Sequence, residues 1–284
     1  MEYIDLHTHS TYSDGTLTPG ELLTLAKKRG LAAMAVTDHD TVAGTAEAIA
    51  CGLQLGIEVI SGIEISAGFE NISMHLLGYG IRHDHSGLIK ILNKLQETRR
   101  KRNEGIFKKL KELGIQADIS EIQHMNGGQI GRPHIARLLV EKKVVKTIQA
   151  AFAKYLKKNA LAYVSSVKIQ AAEAIETINN AGGLPMLAHP ACIDTSLDII
   201  PDLLKKLRDL GLAGIEVYYP THSAQVTKKL KKLNDELGLL ACGGSDFHGT
   251  SRSDCRLGGS AGKLRIPYEV FLTIKQHLAA KRTA

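Results

Sequence analysis

The chain has 284 residues, 44% of them hydrophobic, and a formal net charge of +7; its mean hydropathy is −0.06. That length and balance fit one large α/β barrel or two ordinary domains, and they exclude a disordered chain. No apolar run approaches the roughly 18 residues that a membrane span requires, so no membrane partner is expected.

The N-terminus runs straight into a strand pattern, Ile4–His7, without the basic region, apolar segment and cleavage site of a signal peptide. Cys51, Cys192, Cys242 and Cys255 are widely spaced and form no C-x-x-C pair. Both features predict a soluble cytoplasmic protein with reduced thiols. Thr18-Pro19-Gly20-Glu21 then opens a helix, with Thr18 as N-cap, Pro19 in the first turn and Glu21 closing a capping box. That helix ends at Arg29-Gly30. A strand over Ala33–Thr37 leads into Asp38-His39-Asp40, and a helix over Val42–Leu55 stops at Gly56. Strands are predicted over Glu58–Ile65 and Met74–Tyr79.

From about Ser86 the alternation stops. Leu88–Leu113 reads as a long basic amphipathic helix, followed by shorter helices over Asp118–Met125, Pro133–Lys142 and Thr147–Leu156. No strand pattern returns until Ala162–Val164. The rhythm then resumes with a helix Ile169–Ala181, a strand Leu184–Ala188 ending in His189-Pro190, a helix Leu197–Leu210 and a strand Gly214–Tyr218. A helix Ala224–Leu237, a strand Leu239–Gly243 ending in Gly244-Ser245-Asp246-Phe247-His248, and a helix Tyr268–Lys281 complete the chain. Seven strands with intervening helices imply a mostly parallel sheet, most simply a closed barrel. The expected organisation is α/β: a barrel built from residues 1–85 and 166–284, and a helical insertion domain over 86–165.

Charge follows the same division. Ser86–Ser165 holds 17 Lys and Arg against 6 Asp and Glu, a net of +11, and the remainder holds 19 against 23, a net of −4. A polyanionic or phosphorylated ligand meeting the insertion accounts for this; so does a pair of solvated helices.

The strand ends carry His7, His9, Asp14, Asp38, His39, Glu64, His75, His189, Asp246 and His248. His7 and His9 are two apart, so on a strand both leave one face. In a βα barrel the C-terminal strand ends converge on one rim. A single strand-end His is commonly a hydrogen-bonded structural residue, but six strand ends all delivering nitrogen or oxygen ligands do not fit that explanation. Imidazole and carboxylate without thiolate suit Zn, Mn or Fe. Ten candidates exceed what one ion uses, so two or three divalent ions sharing a bridging carboxylate are expected. Such a cluster activates water as hydroxide and neutralises phosphoryl oxygens.

His7-x-His9, Thr37-Asp38-His39, Gly62-x-Glu64, His75, Ala188-His189-Pro190 and Ser245-Asp246-x-His248 together resemble the PHP (polymerase and histidinol phosphatase) superfamily. The resemblance implies a distorted seven-stranded (βα)7 barrel with a trinuclear metal centre. With the insertion and Gly131-Arg132-Pro133-His134, it is similar to the small phosphoesterase branch. That branch removes the 5′-phosphate of nucleoside 3′,5′-bisphosphates and trims short RNA from its 5′ end. The resemblance implies that His7, His9, Glu64 and Asp246 hold one ion. Asp14, His39 and His248 would hold a second, and Glu64 would bridge to a third held with His75 and His189. Asp38 would orient a ligand or bind directly. His189, Asp246 and His248 are the candidate catalytic residues, and which group protonates the leaving oxygen stays open.

Arg132, ahead of a helix N-terminus, suits a phosphate, and His134 two residues on can donate to the same one. Arg99, Arg100, Lys101 and Arg102 form a candidate track for a longer strand, although Phe107, Phe152 and Tyr155 read as core rather than stacking platforms. His222, after the sixth strand, is a candidate substrate contact. His83 and His85 read as loop residues, and His124 and His277 as surface or packing residues. Lys168 has no decisive role, although it could meet a second phosphate. The expected substrate is a nucleotide or short single-stranded RNA with a phosphorylated 5′ end, and no obligate protein partner is implied. Histidinol-phosphate phosphatase activity would want a compact, acidic pocket and fits the basic insertion less well. An amidohydrolase would bring a bridging lysine that is not found. A non-catalytic nucleic-acid-binding module would show degenerate ligand positions.

Overall fold

The computed structural model describes residues 2–123, 128–165, 168–251, 255–259 and 264–283. His124 and Met125, the end of one expected helix, lie outside the described residues. Two sheets form the framework. In the first, β1 (Tyr3–Asp5) runs parallel to β2 (Leu31–Met34), and β2 parallel to β3 (Glu58–Val59). Near the chain's end β10 (Ile266–Pro267) pairs antiparallel with the outer side of β1. The second sheet has six strands. They are β4 (Gly62–Phe69), β5 (Ile72–Tyr79), β6 (Ile169–Gln170), β7 (Leu184–Leu187), β8 (Gly214–Tyr218) and β9 (Leu240–Gly243), in the order β6-β4-β5-β7-β8-β9.

The helices between the strands form where their local signals are strongest. In α1 (Pro19–Lys28), Thr18 Oγ1 accepts from Glu21 N at 3.2 Å, and Glu21 Oε2 accepts from Thr18 N at 2.8 Å. A capping box of this kind contributes about 1 kcal/mol. Helix α2 (Thr45–Leu55) stops at Gly56, whose φ of 67° favours glycine. Later helices are α7 (Ala171–Asn180), α8 (Ile200–Asp209), α9 (Ala224–Leu237) and α10 (Tyr268–Thr283).

Two strand expectations need correction. The apolar run 58–65 is not one strand: β3 ends at Val59 and β4 begins at Gly62, in the other sheet. The next strand does not follow by a helical crossover. Only Glu70 and Asn71 separate β4 from β5, with Glu70 at φ 52°, so the pair is antiparallel. A parallel return needs a dozen or more residues, which the chain does not supply here. Strand β5 is also antiparallel to β7, whereas β7, β8 and β9 are mutually parallel. Residues Ala162–Val164 form no strand.

The two sheets are hydrogen-bonded to each other along both edges. Leu6 N donates to Gly243 O at 3.1 Å and His9 N to Phe247 O at 2.9 Å. On the other side, Asp40 N donates to Glu64 O at 2.9 Å and Glu64 N to Asp38 O at 3.2 Å. Ile4, Leu6, Leu77, Tyr79, Met186 and Ala188 pack in the space the strands enclose. Tyr79 keeps its buried hydroxyl satisfied by donating to Leu6 O.

Between β5 and β6 lie α3 (Ser86–Glu112), α4 (Ser120–Gln123), α5 (Arg132–Glu141) and α6 (Ile148–Ala151), the last running on into a π-helical turn over Phe152–Leu156. His85 is not simply a loop residue, since its Nδ1 caps α3 by accepting from Leu88 N. The first half of α3 buries Leu88, Leu92 and Leu95 in the same core as β4, β5 and α7. Its second half turns Ile106, Phe107 and Leu110 into a separate core with Ile135, Leu139 and Tyr155. No helix among the described residues is long and apolar enough to cross a membrane.

Gly244 marks the tightest approach of β9 to β1. A Cβ there would lie 2.2 Å from His7 Cβ and 2.3 Å from His7 N. Gly244→Ala is therefore expected to cost about 2–3 kcal/mol by forcing the strands apart, read as a lowered Tm. Gly20→Ala, in the first turn of α1 with no atom nearer than 3.5 Å, should leave Tm unchanged or raise it.

Candidate metal centre

Nine of the side chains singled out from sequence meet in one place. Glu64 is at the centre, 1% exposed. Its Oε2 lies 3.2 Å from His7 Nε2, 3.2 Å from His9 Nε2 and 3.0 Å from His39 Nδ1. Its Oε1 lies 2.8 Å from His75 Nδ1 and 3.1 Å from His189 Nε2. Asp246 Oδ1 faces His7 Nε2 at 3.5 Å and His9 Nε2 at 3.1 Å. Asp14 Oδ1 faces His248 Nε2 at 3.2 Å and His39 Nε2 at 3.8 Å.

Not all of these come from C-terminal strand ends. Glu64 lies near the start of β4, and His75 lies inside the reversed strand β5, opposite Ser66. The reversal brings the middle of β5 level with the middle of β4 and the end of β7. His189 and Asp246 sit just past β7 and β9, at φ 29° and 51°. Such left-handed backbone costs of order 1–3 kcal/mol at a non-glycine residue and collects at functional sites.

Three groups of atoms approach one another within 4.8 Å: His7, His9, Glu64 and Asp246; His9, Asp14, His39 and His248; and His39, Glu64 and His75. His189 touches Glu64 but belongs to none of the three. His7 Nε2, His9 Nε2, His39 Nδ1, His75 Nδ1, Asp14 Oδ1 and Glu64 Oε2 are buried and make no hydrogen bond. Buried polar atoms are otherwise nearly always satisfied. Six such atoms of nitrogen and oxygen, facing one space, fit divalent cations.

The charges show the same need. Burial works against ionised Glu64, but His39, His75 and His7 more than offset it and hold the carboxyl well below its usual range. Asp14 and Asp246 are held low in the same way, by His248 and His39 and by His7 and His248. Burial likewise opposes a charge on His9, yet Asp246 and Glu64 raise its pKa to about 10. His39, where burial wins, falls to about 3. Protons here occupy positions that cations would take, and metal binding would release them.

Several supporting residues carry no sequence motif. Glu216, fully buried on β8, accepts from His7 Nδ1 at 2.9 Å and from His189 N at 2.7 Å. It fixes the His7 tautomer so that Nε2 points into the cluster. The one available signal is a glutamate inside the apolar run Gly214–Tyr218. Asp5 accepts from Ser245 N, Ser245 Oγ, Gly258 N and His7 N, which ties β1 to the turn carrying Asp246. Tyr219 donates to Asp246 Oδ2 at 2.8 Å. Asp38 is behind the cluster, not in it: it accepts from Ser10 N, Ser10 Oγ and Ser13 Oγ, and Ser13 Oγ also lies 3.4 Å from His9 Nδ1, so Asp38 shapes the turn that presents Asp14 and backs His9.

Two cavities open over the cluster. The inner one, about 240 Å³, is walled by the cluster and roofed by Pro133 of α5, Ile148 of α6 and Phe152 of the π-helical turn. The outer cleft, about 670 Å³, shares His39, His75, Pro133 and Phe152 with it and is lined by Arg99, Arg102, Arg132 and Lys168. Phe152 is therefore a cavity wall, whereas Phe107 and Tyr155 are core. Arg132 lies over the ring of Tyr163 at 5.4 Å. His134 is buried; its Nδ1 accepts from Gly131 N at 2.9 Å, which leaves Nε2 as the protonated nitrogen, without a partner. His222 is not brought to either cavity. Its Nδ1 donates to Val217 O and its ring packs on Tyr219.

The expected Arg99–Arg102 track is split by the helix. Arg100 and Lys101 point outward and pair with Glu97 and Glu104, and Arg99 and Arg102 point into the cleft.

A 3′,5′-nucleoside bisphosphate phosphatase of Chromobacterium violaceum is 36% identical over 250 residues, 87% of this chain and 88% of the relative. A 5′-3′ exoribonuclease of Haemophilus influenzae is 34% identical over 244 residues, 86% of this chain and 89% of the relative. A solved structure from Bifidobacterium adolescentis, described as a metal-dependent phosphoesterase, superposes with a TM-score of 0.86 at 26% identity, covering 96% of this chain and 95% of that one. The model of the PHP domain family matches residues 5–164, more than half the chain, and with relatives above 30% identity aligned along most of its length, this chain belongs to the PHP domain family.

Proposed function

We propose that this protein is a metal-dependent phosphoesterase that removes the 5′-phosphate of nucleoside 3′,5′-bisphosphates and trims short RNA from a phosphorylated 5′ end. The observation that carries the reading is the contact between two features. A buried His/Asp/Glu cluster fits divalent cations, and it opens directly into an arginine-lined cleft. The relatives above are named for nucleotide and RNA substrates, which supports the same choice. A histidinol-phosphate substrate has no use for so basic a cleft.

The fold reading is a ring of seven staves: β1, β2, β3 continuing as β4, β5, β7, β8 and β9. Residues 86–165 form the insertion that roofs one end. A cytoplasmic location fits Cys51, Cys192 and Cys242, which form no disulfide. We assign His7, His9, Glu64 and Asp246 to one ion, and Asp14, His39 and His248 to a second. Glu64, His75 and His189 form a third position. When bound, Mn, Fe or Zn ions lower the pKa of a water and offset charge on phosphoryl oxygens.

The chain's own groups do the rest. Arg132 grips the phosphoryl oxygens with its planar fork, while the buried His134, which lines neither cavity, braces the Gly131 turn ahead of Arg132 instead of touching the substrate. Pro133, Ile148 and Phe152 keep bulk water off the inner cavity. His248 Nδ1 donates to Asp246 O at 2.8 Å, so its Nε2 is a lone-pair donor and suits a ligand rather than an acid. Asp246, held by Tyr219 and facing two histidines, likewise serves as a ligand. With two ions bound, His189 is free to hold a proton over the leaving oxygen; with three it is a ligand.

Dialysis against a chelator should abolish hydrolysis of adenosine 3′,5′-bisphosphate and 5′-phosphorylated RNA, with recovery on adding Mn, Fe or Zn. Undiminished activity in chelator, or a preference for histidinol phosphate, would overturn the reading. Arg132→Ala should leave metal content intact and lower kcat/KM roughly 100-fold. Glu216→Gln should weaken metal binding about 10–100-fold, measured by competition with a chromogenic chelator.

A further inference from the structure

Asp14 and His248 come from opposite ends of the chain, and each sits past a strand end, the one after β1 and the other after β9. Asp14 Oδ1 nevertheless faces His248 Nε2 at 3.2 Å, so the two connecting segments must be held in register. Asp38 holds the first from within, through Ser10 and Ser13. Between the two, Thr250 N donates to Thr16 Oγ1 at 2.9 Å and Ser251 Oγ donates to Asp14 O at 3.5 Å. Ser251 Oγ also accepts from Arg137 Nη2. Arg137 belongs to α5, which buries Ile135, Ala136, Leu138 and Leu139 in a core shared with α3 and the π-helical turn. It lies four residues beyond Pro133 and so on the same side of the helix, and Pro133 and Ser251 both line the inner cavity. Arg99 and Arg100 pair with carboxylates, whereas Arg137 reaches across to a hydroxyl beside the metal centre.

We propose that Arg137 is a positioning residue of the metal centre: through Ser251 it clasps α5 to the segments that present Asp14 and His248, and it sets the separation of these two ligands. Arg137 lines neither cavity, so it touches no reacting group and acts only through Ser251. A hydroxyl suits this place because it accepts from the guanidinium and donates to a carbonyl at once. A bond from a cationic donor is about twice as strong as a neutral one. Arg137 is therefore the firm end of the chain, and the longer contact to Asp14 O is the end it steadies. The same helix carries Arg132 at its N-terminus, so the phosphate grip and one ion position share a support. The clasp rests on the assignment of Asp14, His39 and His248 to one ion, and it is independent of which ester is hydrolysed.

The test measures Zn binding to the full chain by competition with a chromogenic chelator. Arg137→Met keeps the aliphatic stem and removes the guanidinium. It should weaken one bound ion about tenfold and leave the affinity of the others unchanged. Ser251→Ala should do the same, and the double variant should be no weaker than either single one, because the two residues act in series. Arg137→Lys, which can still donate to Ser251 Oγ, should recover part of the loss. A residue that only stabilises the fold would lower Tm and leave the ion affinities of the folded chain alone. If Arg137→Met does not fold, Ser251→Ala and Arg137→Lys decide. Wild-type affinity in Ser251→Ala or in folded Arg137→Met, an equal loss at every ion, or losses that add in the double variant each overturn the clasp. A wild type that takes up no Zn, Mn or Fe overturns the assignment of the ligands to ions, and the clasp with it.

Discussion

A carboxylate at 1% exposure is among the costlier groups to bury, and Glu64 is tolerated because five imidazoles converge on it. The rest of the site follows from that requirement. His7, His9 and His39 come from the first sheet and its exits, and His75 and His189 from the second. The two sheets meet at this carboxylate, and their hydrogen bonds at Asp38, Asp40 and Glu64 hold its backbone. Cations in this space would let the imidazoles be neutral, and without them protons supply the positive charge. Cation binding, proton content and the packing where the two sheets meet would thus be coupled.

The reversed strand explains how the cluster connects to the cleft. Glu64 and Ser66 lie two apart on β4 and so share a face. His75 on β5 stands opposite Ser66 and reaches diagonally to Glu64. Ser66 in turn bonds to Asp40, the partner of Arg99. The cluster and the arginine face of α3 are therefore two residues apart along one strand. Their separation is set by the rise of a β-strand and not by loop geometry. Packing of Leu88, Leu92 and Leu95 into the core against β4, β5 and α7 fixes the other side of that distance.

Much of this was legible in the sequence, for identifiable reasons. His7 and His9 lie past the end of β1 rather than on it, yet both face Glu64, and Thr18–Glu21 reads correctly because a capping box is a local hydrogen-bond circuit. The direction of β5 was not legible. Its turn, Glu70-Asn71, lacks the glycine or proline that usually announces a hairpin, although asparagine tolerates turns. Glu216 and Asp5 were missed because their one local signal, a carboxylate inside an apolar run, marks burial and does not say which histidine it orients. The Arg99–Arg102 run misled because its charges were taken as one surface. Helical period divides it into an outward pair neutralised by Glu97 and Glu104 and an inward pair facing the cleft. His222 was placed on the active rim by its position after a strand, but its donation to Val217 O turns the ring back toward β8.

Three consecutive residues show how closely the parts are joined. Asp38 accepts from Ser10 and Ser13 and so shapes the turn presenting Asp14. His39 enters the cluster itself. Asp40 leaves the cluster and holds Arg99 and Ser66, with its carbonyl accepting from Gln96 Nε2 at 2.9 Å. A regular strand would alternate these side chains between two faces only. Asp40 instead adopts φ 53°, a conformation that costs free energy at a non-glycine residue. That turn lets successive residues face three directions. The bonds from Ser66, Arg99 and Gln96 offset the cost and tie α3 to β4 at the same point. The arginine face of the cleft and the His/Asp/Glu cluster are thus joined through adjacent residues, Asp40 holding Arg99 and His39 facing Glu64.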